Sequence, residues 1–220
     1  SIFVKKLEVF SQDTTYTGQT KQFTDAYYVI SHPKGNLMWD AGLPEQFVLP
    51  KPFNEPSGTY AIKRADSIYT NLSNESFFDH IGHADYMKNA LWLVQESEYN
   101  SIRGESVKVN PVLKNLNSVK KLNGDYDVFG DGTVVIKSMP GHTVGHQVLY
   151  VDLGLEQPVL LTGDLYHFQE KGVPSFNYDV KQTLESMDKF EAFAKEKNAN
   201  VFIQHSPADL ERIKKLVNQK

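Results

Sequence analysis

The stretch MPGHTVGHQVLYVDLGLEQPVLLTGDLYH, residues 139–167, contains two apolar segments with polar residues at their ends. The segments HQVLYVDLG and PVLLTGD are short, rich in Val and Leu and bounded by Gly or Pro, which predicts two buried strands. His142 follows the turn at Pro140–Gly141, and Asp164 ends the second segment. Because a strand end is rigid and faces the rim of its sheet, both side chains are candidates for one site.

The same pattern, an apolar segment followed by a polar residue, occurs elsewhere in the chain. Asp40 follows LMW, His205 follows VFIQ, and the pair Asp79–His80 precedes the predicted helix start GHADYM. Taken singly, an Asp after a strand is more often a turn former or helix cap, and a lone His is more often a core residue. The histidines that we assign to this structural class are His32, His83 and His146. Joint occurrence of the others in one chain favours a shared site.

The remaining patterns predict a mixed α/β (α+β) protein with one domain over residues 1–220. Strands are predicted within residues 1–10, 25–42 (a hairpin turning at 33–36), 91–95, 118–141 and 199–206, and a long loop at 43–62. A helix is predicted over residues 179–197, with a core-facing stripe of Leu184, Met187, Phe190 and Phe193. A closing helix at 208–219 has Ser206 as its predicted N-cap. Strands in blocks with helices between and after them favour two packed sheets with helices outside.

Composition excludes several kinds of site and partner. The 220 residues carry a net charge of −4 without a large Lys/Arg cluster, so neither nucleic acid nor a membrane surface is an expected partner. Apolar runs are short, which predicts a soluble protein, either cytoplasmic or exported with its signal removed. Cysteine is absent, so His, Asp and Glu are left to bind any metal ion.

Motifs in the chain resemble those of a known superfamily. DHIG at 79–82, PGHTVGH at 140–146 and TGD at 162–164 are similar to motifs of the metallo-β-lactamase superfamily. LMWDAGLP, DHIGHADYMKNALWLVQESEYN and TGDLYHFQE resemble its N-acyl-homoserine lactonase branch, the quorum-quenching lactonases. The resemblance implies an αββα sandwich with a metal site at one edge, two zinc ions per chain, a homodimer, and hydrolysis of a lactone ring by a zinc-activated water.

The resemblance also implies roles for individual residues. His142 would bind the first metal ion, Asp79, His80 and His205 the second, and Asp164 would bridge both. His167 stands where many family members have a Tyr that touches the substrate carbonyl, and imidazole can donate a similar hydrogen bond. Asp79 and His167 are therefore the candidate catalytic residues.

The loop EQFVLPKPFNEPSGTY, residues 45–60, supplies aromatic side chains close to the predicted metal rim. Binding pockets for apolar ligands are lined mostly by such side chains, so Phe47 and Phe53 are candidate contacts for an acyl chain, beside His167. The structural alternative is a surface loop that packs onto a small cluster of its own.

The chain departs from the family at the first metal position. The motif normally reads His-x-His-x-Asp-His, but Glu75 and Phe77 stand where the two leading histidines would be. Only 38 residues lie between Asp40 and Asp79, which indicates that roughly 15–20 residues, a strand with its approach, are missing. Natural divergence, engineering and a sequence that omits part of the protein are the three explanations.

This loss predicts one zinc ion at the second position and impaired lactonase activity. Two alternatives to a lactonase remain at this stage. One is a catalytically silent binding protein with the metallo-β-lactamase fold. The other is a hydrolase of the same superfamily that acts on another ester, a thioester or a phosphodiester. Metal content per chain and a substrate screen distinguish the three.

Overall fold

The computed structural model describes residues 1–11, 13–40, 42, 51–63, 89–103, 116, 118–152, 154–168 and 172–218. The strands in this part of the chain are β1 Ile2–Val4, β2 Lys21–Phe23, β3 Tyr28–His32, β4 Gly35–Trp39, β5 Phe53–Asn54, β6 Tyr60–Ile62, β7 Trp92–Gln95, β8 Val119–Leu122, β9 Tyr126–Asp127, β10 Val134–Ser138, β11 Gln147–Val151, β12 Val159–Leu161 and β13 Asn200–Phe202. The α-helices are α1 Glu96–Arg103, α2 Val180–Glu196 and α3 Pro207–Val217. None of these helices is both long and apolar enough to cross a membrane.

A five-stranded sheet with the order β13-β12-β11-β10-β9 forms the larger layer. Its pairs are antiparallel except β12 with β13, which is parallel. Along β11, Leu149 and Val151 pack into one hydrophobic cluster and Val148 and Tyr150 into another. Successive residues of a strand point to opposite faces, so this sheet is buried on both sides.

Helix α2 covers one face of that sheet with Met187 and Phe190, which are fully buried. The prediction that Leu184 shares this stripe is wrong, because its side chain is 42% exposed. At 3.6 residues per turn Leu184 lies roughly 120° around the helix from Phe190, at the solvent side. Thr183 and Ser186 are buried instead, and their hydroxyls donate to Asp179 O and Pro140 O.

The other strands form a four-stranded sheet, β2-β1-β6-β5, the hairpin β3–β4 and the parallel pair β7–β8. The predicted hairpin is confirmed, with His32 opposite Gly35 across the turn. Two predictions fail in part. Residues 53–54 and 60–62 of the predicted loop are the strands β5 and β6, and the first predicted strand ends at Val4, before a 3-10 turn at Leu7–Phe10.

The direction of three strands fixes where the site lies. β10 and β12 are both antiparallel to β11, and β13 is parallel to β12, so β10, β12 and β13 all run the same way. Their C-terminal ends therefore meet at one edge of the sheet. His142, Asp164 and His205 follow these three ends. Ser206 then caps α3 as predicted, because its side chain accepts a hydrogen bond from Asp209 N.

Candidate metal centre

The carboxylate of Asp164 lies at the centre of the group of histidines at this edge. Its Oδ1 is 2.8 Å from His205 Nε2. Its Oδ2 is 3.2 Å from His142 Nε2 and 3.8 Å from His167 Nε2. The two oxygens thus face different histidines, an arrangement that suits a carboxylate placed between two cation positions.

His146 holds the backbone of Asp164 in place. Its Nδ1 donates to Met139 O (3.0 Å), and its Nε2 accepts from the N–H of Asp164 (3.0 Å). Gly163 makes this approach possible, because a Cβ there would lie 2.9 Å from His146 Nε2, and its φ of 53° favours glycine. Both ring nitrogens of His146 contact the backbone, which agrees with the structural role assigned to it.

Backbone and amide oxygens orient the rings of His205 and His142. His205 Nδ1 lies 2.8 Å from Thr24 O, and His142 Nδ1 lies 2.9 Å from Asn177 Oδ1. An oxygen of this kind only accepts hydrogen bonds, so each Nδ1 carries a proton, and each Nε2, which faces Asp164, is the ring nitrogen left to bind a metal ion. Thr24 follows β2, so the centre lies where the two larger sheets meet.

Aromatic rings enclose the centre on one side. The ring of His167, which is 3% exposed, stacks on that of His205 with centroids 5.2 Å apart. Phe23 also stacks on the ring of His205, with centroids 5.7 Å apart. Phe176 meets both His142 and His167 edge-on, at 5.9 and 6.1 Å, although 52% of its own surface is exposed. The histidines are thus packed rigidly, with an apolar surface beside them.

These donors fit a metal ion. One atom each of His142, Asp164 and His167 lies within 4.8 Å of the other two, and all three side chains are at least partly buried. Imidazole nitrogen and carboxylate oxygen are ligands of zinc and related transition metals. The described part of the chain therefore contains a group of side chains that can bind a metal ion.

The comparisons with known proteins agree on one group of enzymes. The N-acyl homoserine lactonase AttM of Rhizobium johnstonii is 33% identical over 153 residues, which cover 62% of this chain and 57% of that protein. An N-acyl homoserine lactonase from a Bacillus species is 29% identical over 202 residues, covering 81% and 79%. A search of protein-family models found no match.

Solved structures match over more of the chain. An N-acyl homoserine lactone hydrolase with the product N-hexanoyl-L-homoserine at its catalytic metal centre superposes with a TM-score of 0.76, at 23% identity over 96% of this chain and 92% of that one. The dizinc quorum-quenching lactonase AidC gives a TM-score of 0.62, at 16% identity over 93% and 84%. The chain has the metallo-β-lactamase fold of these lactonases.

The αββα fold class and the resemblance to the lactonases, both predicted from the sequence, are thereby confirmed. The chain spans little more than half the length of the first curated relatives that it matches.

The structure brings four of the predicted site residues together, namely His142, Asp164, His167 and His205. Asp79, His80 and Phe47 lie outside the described residues, as do Glu75, Phe77 and His83. Phe53 is half-buried in β5 and packs against a cluster that includes Ile2, Val4 and Ile62. This packing is the structural alternative that the sequence offered for the loop. The roles assigned to these residues stay predictions.

Gln204 and Asn177 are polar residues of the site that sequence analysis missed. Gln204 is 1% exposed and its Oε1 accepts from Trp39 Nε1 (2.7 Å) and Gly163 N (3.0 Å). Its Nε2 donates to Asp40 Oδ2 (2.9 Å), so Asp40 stabilises the site through Gln204. The only sequence signal for Gln204 is its position next to His205 at a strand end.

A cavity of about 630 Å³ adjoins the candidate metal centre. Its lining includes residues 36–40, which are most of β4 and the residue after it, and residues 90–94, which are most of β7 and the two residues before it. His142 and Asp164 also line it. Among the described strands, β4 pairs with β3 and β7 pairs with β8. The cavity therefore lies between the two strand pairs.

Proposed function

We propose that the chain is a zinc-dependent hydrolase that opens the lactone ring of N-acyl homoserine lactones, a quorum-quenching activity. The observation that carries the proposal is the buried Asp164 carboxylate, whose two oxygens face the Nε2 atoms of different histidines. This arrangement occurs in a chain whose relatives are named N-acyl homoserine lactonases. The structural neighbours bind lactone-derived products, and one of them is dizinc.

In this proposal the chain binds the metal with His142, Asp164 and His205, together with Asp79 and His80 as the sequence predicts. Zinc supplies a bound water of pKa near 7 and a Lewis acid that polarises the substrate carbonyl. Asn177 and Thr24 keep the ligand histidines in the tautomer that offers Nε2. Phe176 presents an apolar surface to the acyl chain.

Two predictions from the resemblance belong to the same proposal. The resemblance assigns His167 as a hydrogen-bond donor to the substrate carbonyl, and it suggests a homodimer. A single domain over residues 1–220 is also part of it. The alternatives of a silent binding protein or a hydrolase of another ester are not favoured, because the similar curated proteins are named N-acyl homoserine lactonases and two structural neighbours carry N-hexanoyl-homoserine products.

The test combines metal content with ring opening. Protein loaded with zinc and then desalted is analysed for zinc per chain, and opening of N-hexanoyl homoserine lactone is followed by proton release. We expect bound zinc and ring opening, both abolished by a chelator and by Asp164→Ala, with Asp188→Asn on the exposed side of α2 as the matched control. Zinc-loaded protein that leaves the lactone intact but cleaves a thioester or phosphodiester would overturn the proposal.

A further inference from the structure

Asp164 Oδ2 has two histidine nitrogens beside it, on the side of the carboxylate that faces away from His205. His142 Nε2 lies at 3.2 Å and His167 Nε2 at 3.8 Å. With zinc bonds of about 2.0–2.1 Å in tetrahedral geometry, ligand atoms are roughly 3.3–3.4 Å apart. The first distance is close to that spacing and the second exceeds it by about 0.4 Å, and one ligand atom from each of the three residues lies within 4.8 Å of the other two.

The neighbouring side chains of Asn177 and Thr183 orient the ring of His142 for such a role. Asn177 Nδ2 donates to Thr183 Oγ1 (2.9 Å), whose own proton goes to Asp179 O (2.7 Å). The amide orientation of Asn177 is therefore fixed, with Oδ1 towards His142 Nδ1. Nδ1 of His142 then carries a proton, and Nε2, which faces Asp164, is the ring nitrogen left to bind a metal ion.

His167 is also held at the centre rather than at its mouth. It is 3% exposed, stacks on His205 at 5.2 Å, and contacts the ring of Phe10 at 5.3 Å. A hydrogen-bond donor to a substrate carbonyl needs to face the substrate, whereas a ligand needs to face the other ligands. The Nε2 of His167 faces the Asp164 carboxylate.

We propose that His167 is a metal ligand, and that His142 Nε2, Asp164 Oδ2 and His167 Nε2 bind one zinc ion. The site rests on the proposed function, and it changes the role of His167 that the resemblance assigned. Glu75 and Phe77 replace the two leading histidines, which left His142 and a share of Asp164 for the first position. His167 supplies the third protein ligand, and three protein ligands with one open position are typical of catalytic zinc.

The test measures zinc affinity and stoichiometry by competition with a chromogenic chelator, and the absorption spectrum of the cobalt-substituted protein. We expect His167→Ala to remove about one zinc ion per chain, or to weaken one site by more than about 100-fold, beyond the 10- to 100-fold effect of residues that only orient ligands. His167→Tyr keeps an aromatic ring and a hydrogen-bond donor and serves if the alanine variant unfolds. His32→Gln is the matched control, since His32 stacks on Phe129 away from the centre.

The outcomes separate this inference from the proposed function. Unchanged zinc affinity and cobalt spectrum in both His167 variants, with ring opening lost, would make His167 a substrate contact and overturn the inference alone. Loss of one zinc site in both variants, matched by His142→Ala, supports it. Wild-type protein that binds no zinc would overturn both.

Discussion

The amide of Asn177 lies against the imidazole of His142, with Oδ1 2.9 Å from Nδ1, although 35 residues separate the two in sequence. Thr183, in the first turn of α2, fixes the amide from its other end. The helix therefore determines which nitrogen of His142 carries the proton. The contact makes the N-terminal turn of α2 part of the metal centre without supplying a ligand.

Asn177→Leu removes the acceptor for His142 Nδ1 and is expected to weaken zinc binding by roughly 10- to 100-fold, the usual effect of such partners. Asn177→Asp keeps an acceptor and should retain most of the affinity. Zinc competition titrations measure both, with exposed Asn54→Ala as the control. Equal affinity in the leucine and aspartate variants would show that Asn177 has no part in orienting His142.

Gly141 packs directly against the start of α2. A Cβ at this position would lie 2.3 Å from Thr183 N, and its φ is 135°. We expect Gly141→Ala to lower the free energy of unfolding by about 2–5 kcal/mol, as backbone strain adds to a steric clash. Urea denaturation measures it.

Gly35→Ala is the matched control for that change, because Gly35 has a φ of 141° but its added Cβ would meet nothing closer than 3.9 Å. Gly35→Ala introduces the backbone strain without the steric clash, so it should lower the free energy of unfolding by less than Gly141→Ala does. If both variants lose the same stability, the approach of α2 is not what requires glycine at residue 141.

Local pattern predicted those parts of the site that follow strands directly. His142, Asp164 and His205 each come just after an apolar segment, so the sequence places them at an edge before any contact is known. Asn177 and Gln204 contribute through contacts with segments 35 to 165 residues away, and no local pattern marks such contacts.

The errors in the fold prediction have a similar cause. β5 and β6 lie in a Pro-rich segment; β6 pairs with β1, far away in sequence, and β5 pairs with β6. Leu184 lies three residues before Met187, as the predicted stripe requires. The buried face of α2 is nevertheless set by the contacts of Thr183 with Gly141 and of Ser186 with Pro140.

The stability of the protein in acid depends in part on Asp131, whose carboxylate accepts a hydrogen bond from Lys34 in the turn between β3 and β4. Hydrogen bonds from Lys34 Nζ and from Thr133 hold the pKa of Asp131 below its usual range. A lowered folded-state pKa stabilises the protein above the unfolded pKa of about 3.9, and this contribution is lost as pH falls through the folded value. Asp131→Asn should therefore destabilise the protein at pH 7 and progressively less below pH 4.

Urea denaturation at several pH values measures this difference. His32 Nε2 lies 3.3 Å from Asp131 Oδ2, so the comparison is made in the His32→Gln background, which removes the imidazole beside the carboxylate and leaves Lys34 as its partner. A loss of stability that is the same at pH 7 and pH 3 would show that ionised Asp131 adds nothing to folding.

Phe176 is expected to affect the choice of acyl chain. Its exposed ring stands edge-on to His142 and His167, so an acyl chain that leaves the centre on this side would contact it. Phe176→Ala should lower kcat/KM for a decanoyl substrate by roughly 5- to 30-fold, about 1–2 kcal/mol of apolar contact, and change butanoyl turnover much less. Phe3→Ala, which truncates an exposed ring on β1, is the control. Equal losses for both chain lengths would place the acyl chain elsewhere.

The cavity between β4 and β7 makes the incomplete motif testable. Strands line it on both sides and His142 and Asp164 line it as well, so an added strand there would deliver side chains to the centre.

The test inserts roughly 15–20 residues before Asp79, forming an apolar strand that ends in two histidines two residues apart. This spacing puts both imidazoles on one face of the strand. We expect tighter zinc binding and faster ring opening, because two further imidazoles at the first position would hold that cation more firmly than His142, Asp164 and His167 do alone, and the cation stabilises the developing negative charge. The matched insertion carries Glu and Phe in place of the two histidines, as at residues 75 and 77. Equal zinc affinity and equal rates in the two insertions would mean that His167 and its neighbours already complete the centre and that the leading histidines are dispensable.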